Sequence, residues 1–252
     1  MVNGFTDQNG EYNSVMNTAY FSLLGRLQDF LKHDQRGRKI SVKFRGRQSI
    51  KHLVESLGAP HPEIGVIQVN RQVATLSTIT QDADQVEVFP IPNGCPVEPR
   101  FVLDGHLGRL AAYLRLLGFD CLYQNDDDDE QLAETTQREE RILLSRDRRL
   151  LMRTAVTHGY CLRSLDPHEQ LKEVIERFDL RSRLAPFHRC LRCNHPLEPV
   201  AKEVVFDRLE PLTRLYFDEF QICPSCAQIY WKGSHYEKMQ KLVEEIIEKN
   251  KG

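Results

Sequence analysis

Apolar residues along this chain change their period several times, and each change marks an element. Ile40, Val42 and Phe44 alternate with polar neighbours between Lys39 and Arg45, the two-residue period of a half-buried strand. Ile50, Leu53, Val54 and Leu57 recur at helical spacing, so Ile50 to Leu57 reads as a helix. Gly65 to Val69 and Val86 to Phe89 are short apolar runs that read as strands. Upstream, Ala19 to Leu24 begins as a strand and passes into a helix ending near Lys32. The order β-helix-β-β-β is that of a small α+β unit. Beyond Phe101 the pattern becomes an alternation. Phe101-Val102-Leu103 is a buried strand ending at Asp104. Leu107, Leu110, Ala111, Leu114 and Leu117 then form a helical stripe, with Arg109 and Arg115 off it and Gly118 closing it. Phe119 to Gln124 is the next strand, and the acids Asp126 to Asp129 open a second helix. Arg141 to Ser145 is a third strand and delivers Asp147. Arg148 to His158 continues as a helix closed by Gly159, Tyr160 to Leu165 is a fourth strand, and Asp166-Pro167 opens a helix to about Phe178. Strands alternating with helices predict a parallel sheet with right-handed crossovers.

In such sheets the ligand crevice lies outside the carboxyl ends of the strands, the edge where Asp104, the acidic run and Asp147 fall. Each acid alone reads better as a helix cap, and only the three on one edge reverse that preference. Three carboxylates on one edge repel each other unless a cation sits between them. Hard divalent cations take such oxygen ligands and activate water for phosphodiester hydrolysis. Metal-dependent nuclease chemistry is therefore the sharp expectation, with the carboxylates sharing one cleft. Arg138, Arg141, Arg146, Arg148, Arg149 and Arg153 crowd around Asp147, either as a phosphate-facing patch or as a solvated, salt-bridged helix face.

The C-terminal part is built on two C-x-x-C pairs, Cys190-Cys193 and Cys223-Cys226. Two such turns supply four thiolates, a closed structural zinc site with no open position for catalysis. His188 and His195 flank the first pair as alternative ligands. Ser234 to Glu237 has capping-box spacing and starts a last helix with Tyr236, Met239, Leu242, Val243, Ile246 and Ile247 on one stripe.

Composition refines this outline only locally. The net charge is −2, so no global basic field announces nucleic acid. The cysteine pairs suit a reducing cytoplasm with bound metal, leaving Cys95, Cys121 and Cys161 as thiols. No apolar run has membrane-spanning length and no signal-peptide core opens the chain. Residues 1–16 are polar and read as a mobile lead-in. Pro90 to Pro99 holds four prolines and marks a boundary. The expected domains are residues 17–92, a linker at 93–99, an acidic α/β domain at 100–184 and a cysteine-rich part at 185–252.

Asp104-Gly105-His106-Leu107-Gly108-Arg109-Leu110-Ala111, with Leu114-Arg115 and Leu117 to Asp120, resembles the opening of the Mut-seven C-terminal RNase family. Asp129 to Leu132 and Leu143 to Asp147 resemble its second block, with Ser145 for the usual threonine. The likeness continues through Cys161 to Ser164, the cysteine pairs and Tyr230 to His235. The resemblance implies a PIN-like nuclease fold followed by a zinc ribbon. It implies a ribonuclease whose Asp104, Asp129 and Asp147 are catalytic and hold Mg²⁺ or Mn²⁺, with Zn²⁺ structural. Asp166, Asp128 and Glu130 are the candidates for a fourth acid. Arg109, Arg146, Arg148, Trp231 and His235 are the expected RNA contacts, Trp231 by stacking on a base. The N-terminal part resembles the ubiquitin-like β-grasp domain sometimes fused ahead of this family, itself similar to sulphur carriers. Here Pro90 to Gly94 runs on into the next domain, so no free Gly-Gly end exists for carrier chemistry, and an RNA- or protein-contacting role is expected. Two other readings stand beside the enzyme: an RNA-binding or adaptor protein that keeps the fold without catalysis, and a phosphoacceptor receiver. The receiver reading lacks its lysine after the fourth strand, where Asp166-Pro167 follows instead.

Overall fold

The computed structural model describes residues 16–248 and divides at Pro92/Asn93 into two compact units. Of the expected lead-in at 1–16, residues 1–15 lie outside the described residues, and Met16 belongs to a strand. In the first unit β1 (Met16–Leu23) is followed by 3₁₀ turns at Gly25–Phe30 and His33–Gln35. Then come β2 (Ile40–Arg45), α1 (Ile50–Ser56), β3 (Ile64–Val69), β4 (Gln72–Ala74) and β5 (Gln85–Pro90). Ser49 caps α1 by accepting from the His52 N–H at 3.3 Å. The sheet order is β2-β1-β5-β3-β4, with β1 and β5 parallel and every other pair antiparallel. The expected β-helix-β-β-β order is thus corrected. The segment after β1 winds only as 3₁₀, with a break at Leu31 in extended backbone, and β4 is too short to leave a pattern. Phe21, Leu27, Ile50, Val54, Ile67, Val86 and Val88 are buried.

The second unit opens with β6 (Arg100–Leu103), α2 (Gly108–Leu116), β7 (Asp120–Tyr123) and α3 (Asp129–Glu139). It continues with β8 (Ile142–Ser145), α4 (Arg148–Leu151), β9 (Gly159–Cys161) and α5 (Pro167–Phe178). The four strands are parallel in the order β7-β6-β8-β9. Chain order reverses between β6 and β8, so the crevice of a doubly wound sheet lies at the ends of those two strands. Phe101, Leu103, Ile142 and Leu144 share a core with α2 and α5, and Phe101 packs edge-on against Phe119 and Phe178.

Three expectations for the helices and strands of this unit change. The helix from Arg148 stops at Leu151, and Val156, five residues further on, is buried. Gly159 is a strand residue paired with Leu143; a Cβ there would meet Leu151 Cδ2 at 2.7 Å. The fourth strand ends at Cys161, and Leu165 is 70% exposed. The segment expected as a linker lies against α5, with Gly94 donating its N–H to Arg177 O at 2.9 Å and Cys95 and Val97 on the core.

The cysteine-rich part contains β10 (Glu198–Val200), the short helices α6 (Lys202–Val205) and α7 (Pro211–Tyr216), β11 (Phe220–Ile222) and β12 (Ile229–Trp231). These strands form an antiparallel sheet in that order. The last helix, α8 (Ser234–Glu248), buries Leu242, Val243 and Ile246 in the core of α2 and α5, while Ile247 falls on the exposed side.

Candidate active site and cysteine centre

Asp104 follows directly on β6 and Ser145 ends β8, so neighbouring parallel strands bring the two side by side. The Ser145 hydroxyl donates to Asp104 Oδ2 at 2.7 Å and accepts the Asp147 N–H at 2.8 Å. One fully buried hydroxyl therefore joins both acids. Asp147 also caps α4, accepting the Arg149 N–H at 2.7 Å, and Asp104 Oδ1 accepts the His106 N–H at 3.4 Å. Capping and site formation here are one arrangement, because a carboxylate at a helix start already faces the strand ends. In the sequence Ser145 reads only as a variant of a motif; its place in the arrangement shows once the β6–β8 register is known.

Asp129 is the first residue of α3, and Asp128 is the cap, accepting from Glu130 and Gln131 N–H at 2.9 Å each. α3 follows β7, which places Asp129 on the same edge, yet its carboxylate lies 3.7 Å from Arg153. Among the described residues the three acids do not form a group whose ligand atoms all lie within 4.8 Å; the four cysteines are the group that does. Exposed carboxylates repel one another, and Asp129 has an arginine as its neighbour instead. An ion pair this exposed is worth at most about 1 kcal/mol, so it opposes little to rearrangement. Asp166, after β9, stands on the same edge as the cap of α5, accepting from His168 and Glu169.

Arg109 and Arg146 are exposed and line a cleft of about 320 Å³ together with His106, Leu165, Pro167 and Gln170; none of the three acids lines it. Arg148 is exposed on α4. Arg141, expected in this patch, is not part of it. It is buried at the other end of β8, donating to Asp120 Oδ1 and to Glu139 Oε2 at 2.7 Å each.

The two cysteine turns are built alike. Cys190 N–H donates to His195 O at 2.8 Å and Cys223 N–H to Gln228 O at 2.9 Å. Asn194 N–H reaches Cys190 O at 2.9 Å and Ala227 N–H reaches Cys223 O at 2.8 Å. Asn194 and Ala227, each just after its second cysteine, take left-handed backbone at φ 72° and 58°. This geometry folds each turn back so that both its sulphurs point the same way. Cys190 and Cys226 Sγ lie 3.5 Å apart, Cys193 and Cys223 Sγ 3.3 Å. A tetrahedral Zn²⁺ with bonds of about 2.3 Å needs sulphurs at about that separation, so the donor set fits zinc. Burial works to raise Cys193, but the His195 N–H and the other sulphurs outweigh it and bring it down to about 7. Burial pushes Cys223 up to about 12. His188 and His195 are exposed and outside the quartet.

The ribbon docks on the end of the parallel sheet opposite the acids. Asn194 accepts the Cys121 N–H at 2.9 Å and donates to Asp120 Oδ1 at 2.8 Å. Arg115 donates to Cys121 O at 2.9 Å and to Leu191 and Arg192 O at 3.0 and 2.9 Å. This is why Arg115, off the apolar stripe, is nevertheless buried. Trp231 and His235 are exposed on the ribbon side, where Trp231 lines a cleft of about 570 Å³ with Phe187 and Tyr236. The expected RNA contacts thus divide between the two ends of the sheet.

A family model described as the Mut7-C RNAse domain matches residues 99–243, and one described as Mut7-C ubiquitin matches residues 16–95. No curated protein and no solved structure matches the chain. Among the described residues no helix is long and apolar enough to cross a membrane.

Proposed function

Because the chain belongs to the Mut7-C RNAse domain family, we propose that it is a ribonuclease that hydrolyses RNA phosphodiester bonds at the edge bearing Asp104 and Asp147. The observation that carries this reading is the Ser145 hydroxyl, which joins those two acids at the reversal point of the sheet. Asp104, Asp129 and Asp147 would hold Mg²⁺ or Mn²⁺, a hard cation that makes bound water a nucleophile and neutralises the leaving oxygen. Ser145 keeps Asp104 and Asp147 at fixed spacing, and Arg153 holds Asp129 on the edge until it is drawn in. Arg109, Arg146 and Arg148 supply positive charge for the flanking phosphates. The cysteine quartet holds Zn²⁺ as a structural centre, with Trp231 and His235 beside it as RNA contacts. The N-terminal unit serves as an RNA-binding or positioning module.

That the three acids do not form one compact ligand group favours a second reading, an RNA-binding adaptor with an idle acidic edge. The test is a cleavage time course on labelled single-stranded RNA with Mn²⁺, Mg²⁺ or EDTA. Cleavage that needs the metal and stops with EDTA is expected. RNA binding without cleavage under any divalent metal would favour the adaptor.

A further inference from the structure

From Arg36 to Arg47 the chain holds six basic residues and no acid, although its net charge is −2. This stretch forms β2 and its flanks, and β2 is an outer strand of the N-terminal sheet. Side chains alternate across a strand. Ile40 and Phe44 are buried, so Lys43 and Arg45, with Lys39 just before the strand, stand on the opposite face. The register sets Arg45 against Met16 and Lys43 against Thr18, and Tyr20 between Ser41 and Gln85. That face is open: Tyr20 is 36% exposed, and Lys39, Lys43 and Arg45 are exposed.

Two further observations mark the face as built for an anion. A cleft of about 290 Å³ lies on it, lined by Tyr20, Ser22, Lys39, Asn70, Arg71 and Gln85, with Glu87 as its one acid. Arg71 sits in the two-residue turn between β3 and β4, where Asn70 and Arg71 have φ 51° and 69°. Glycine is the usual second residue of such a turn. An arginine there puts a cation at the cleft in a backbone region that side chains rarely adopt. Among the described residues, Arg38, Lys43, Arg45, Arg47 and Arg71 meet no carboxylate, and Lys39 Nζ binds the neutral Gln85 Oε1 at 2.6 Å. Glu87 is the one acid on this face of β5.

We propose that the open face of the N-terminal sheet binds single-stranded RNA, with Lys39, Lys43, Arg45 and Arg71 on phosphates and Tyr20 stacked against a base. The choice of polyanion rests on the ribonuclease reading. Evenly repeated phosphates match a row of cations along a strand, and an aromatic ring on an open sheet offers a platform to any unpaired base. A duplex, with its bases stacked inside, cannot use Tyr20 in this way. Lysines on an outer strand also deter pairing with other chains. That purpose needs neither Tyr20 nor Arg71.

The experiment uses the full chain carrying Asp147→Asn, in EDTA, with fluorescein-labelled oligouridylate followed by anisotropy across a salt series. Each phosphate-binding cation removed lowers the slope of log affinity against log salt by about 0.7 for single strands. Lys43→Gln with Arg45→Gln should lower it by about 1.4 and weaken binding roughly 25-fold at 0.1 M salt. Tyr20→Ala should weaken binding at least about fivefold, Tyr20→Phe should restore it, and neither should affect a duplex probe. Thermal melts of each variant check folding. Affinity and slope unchanged in the double variant would overturn the proposal. So would poly-glutamate binding that the double variant loses while RNA binding stays intact, which would make the face a site for an acidic protein. Cleavage is assayed separately with Asp147 restored. A binding defect without any wild-type cleavage sinks the catalytic reading alone, and cleavage without a binding defect sinks only this one.

Discussion

At the scale of single residues, one hydroxyl separates two explanations of the same acids. Asp147 caps α4 and Asp104 accepts from a loop N–H, so each has a structural duty that asparagine performs nearly as well, within about 1 kcal/mol. A cation site tolerates that change badly, because the amide loses the charge while keeping the shape. Asp104→Asn and Asp147→Asn should therefore abolish metal-dependent cleavage with little change in melting temperature, read from time courses run beside thermal melts. Cleavage surviving in both would put the chemistry elsewhere. Ser145→Ala removes the donor to Asp104 and leaves the Asp147 N–H without its acceptor. Outer partners of metal ligands commonly contribute about 10- to 100-fold, so the Mn²⁺ concentration for half-maximal cleavage should rise by that factor, and Ser145→Thr should recover most of it.

At the scale of elements, the contact that governs how the ribbon sits is a buried polar cluster. Asp120, Arg141 and Asn194 meet at the amino end of the sheet, and Arg141 is 6% exposed. Burial works to raise the Asp120 carboxyl, but hydrogen bonds from Arg141 and Asn194 outweigh it and hold it below its ordinary value of 3.8. A carboxyl depressed in the folded state stabilises the fold above its unfolded value, and that contribution is lost as pH falls through the folded value. Stability of residues 93–252 should thus decline as pH drops below about 4, the ordinary carboxylate range. In Asp120→Asn that part of the decline should be absent, and stability at neutral pH should fall by up to about 3 kcal/mol, because buried Arg141 keeps only Glu139 as a charged partner. Urea titrations at pH 7 and pH 3 measure both. An equal acid loss in the variant would show that Asp120 carries none of it.

At the scale of the whole molecule, what is legible in the sequence follows how local each signal is. The parallel sheet can be read because each strand is a short apolar run and each helix has its stripe, from Phe101 to Phe178. The cysteine quartet can be read because the spacing within each pair sets its geometry. What escapes depends on residues far apart. Arg115 looks like a surface residue until its carbonyl partners at 191 and 192 are known. The helix α4 ends at Leu151 although local propensity would continue it, and extended backbone at Leu31 limits the segment after β1 to 3₁₀ turns. Asn194 is the clearest case, since it belongs to the first cysteine turn yet closes hydrogen bonds on Asp120 and Cys121. That bond changes the consequence of losing the metal. From the sequence, replacing a cysteine should unfold the chain beyond about Pro186 and spare the acidic domain. The structure couples them, because a loosened first turn leaves the Cys121 N–H without its acceptor and exposes Arg115. Each buried group left unpaired costs about 1–3 kcal/mol. Cys193→Ser, or stripping with a strong chelator, should therefore reduce amide protection in β7 and α2 as well as in the ribbon, and leave residues 16–92, which have their own core, unchanged. Hydrogen exchange with mass spectrometry reads each segment separately. A protection decrease confined to the ribbon would mean that Asn194 and Arg115 decorate the junction without holding it.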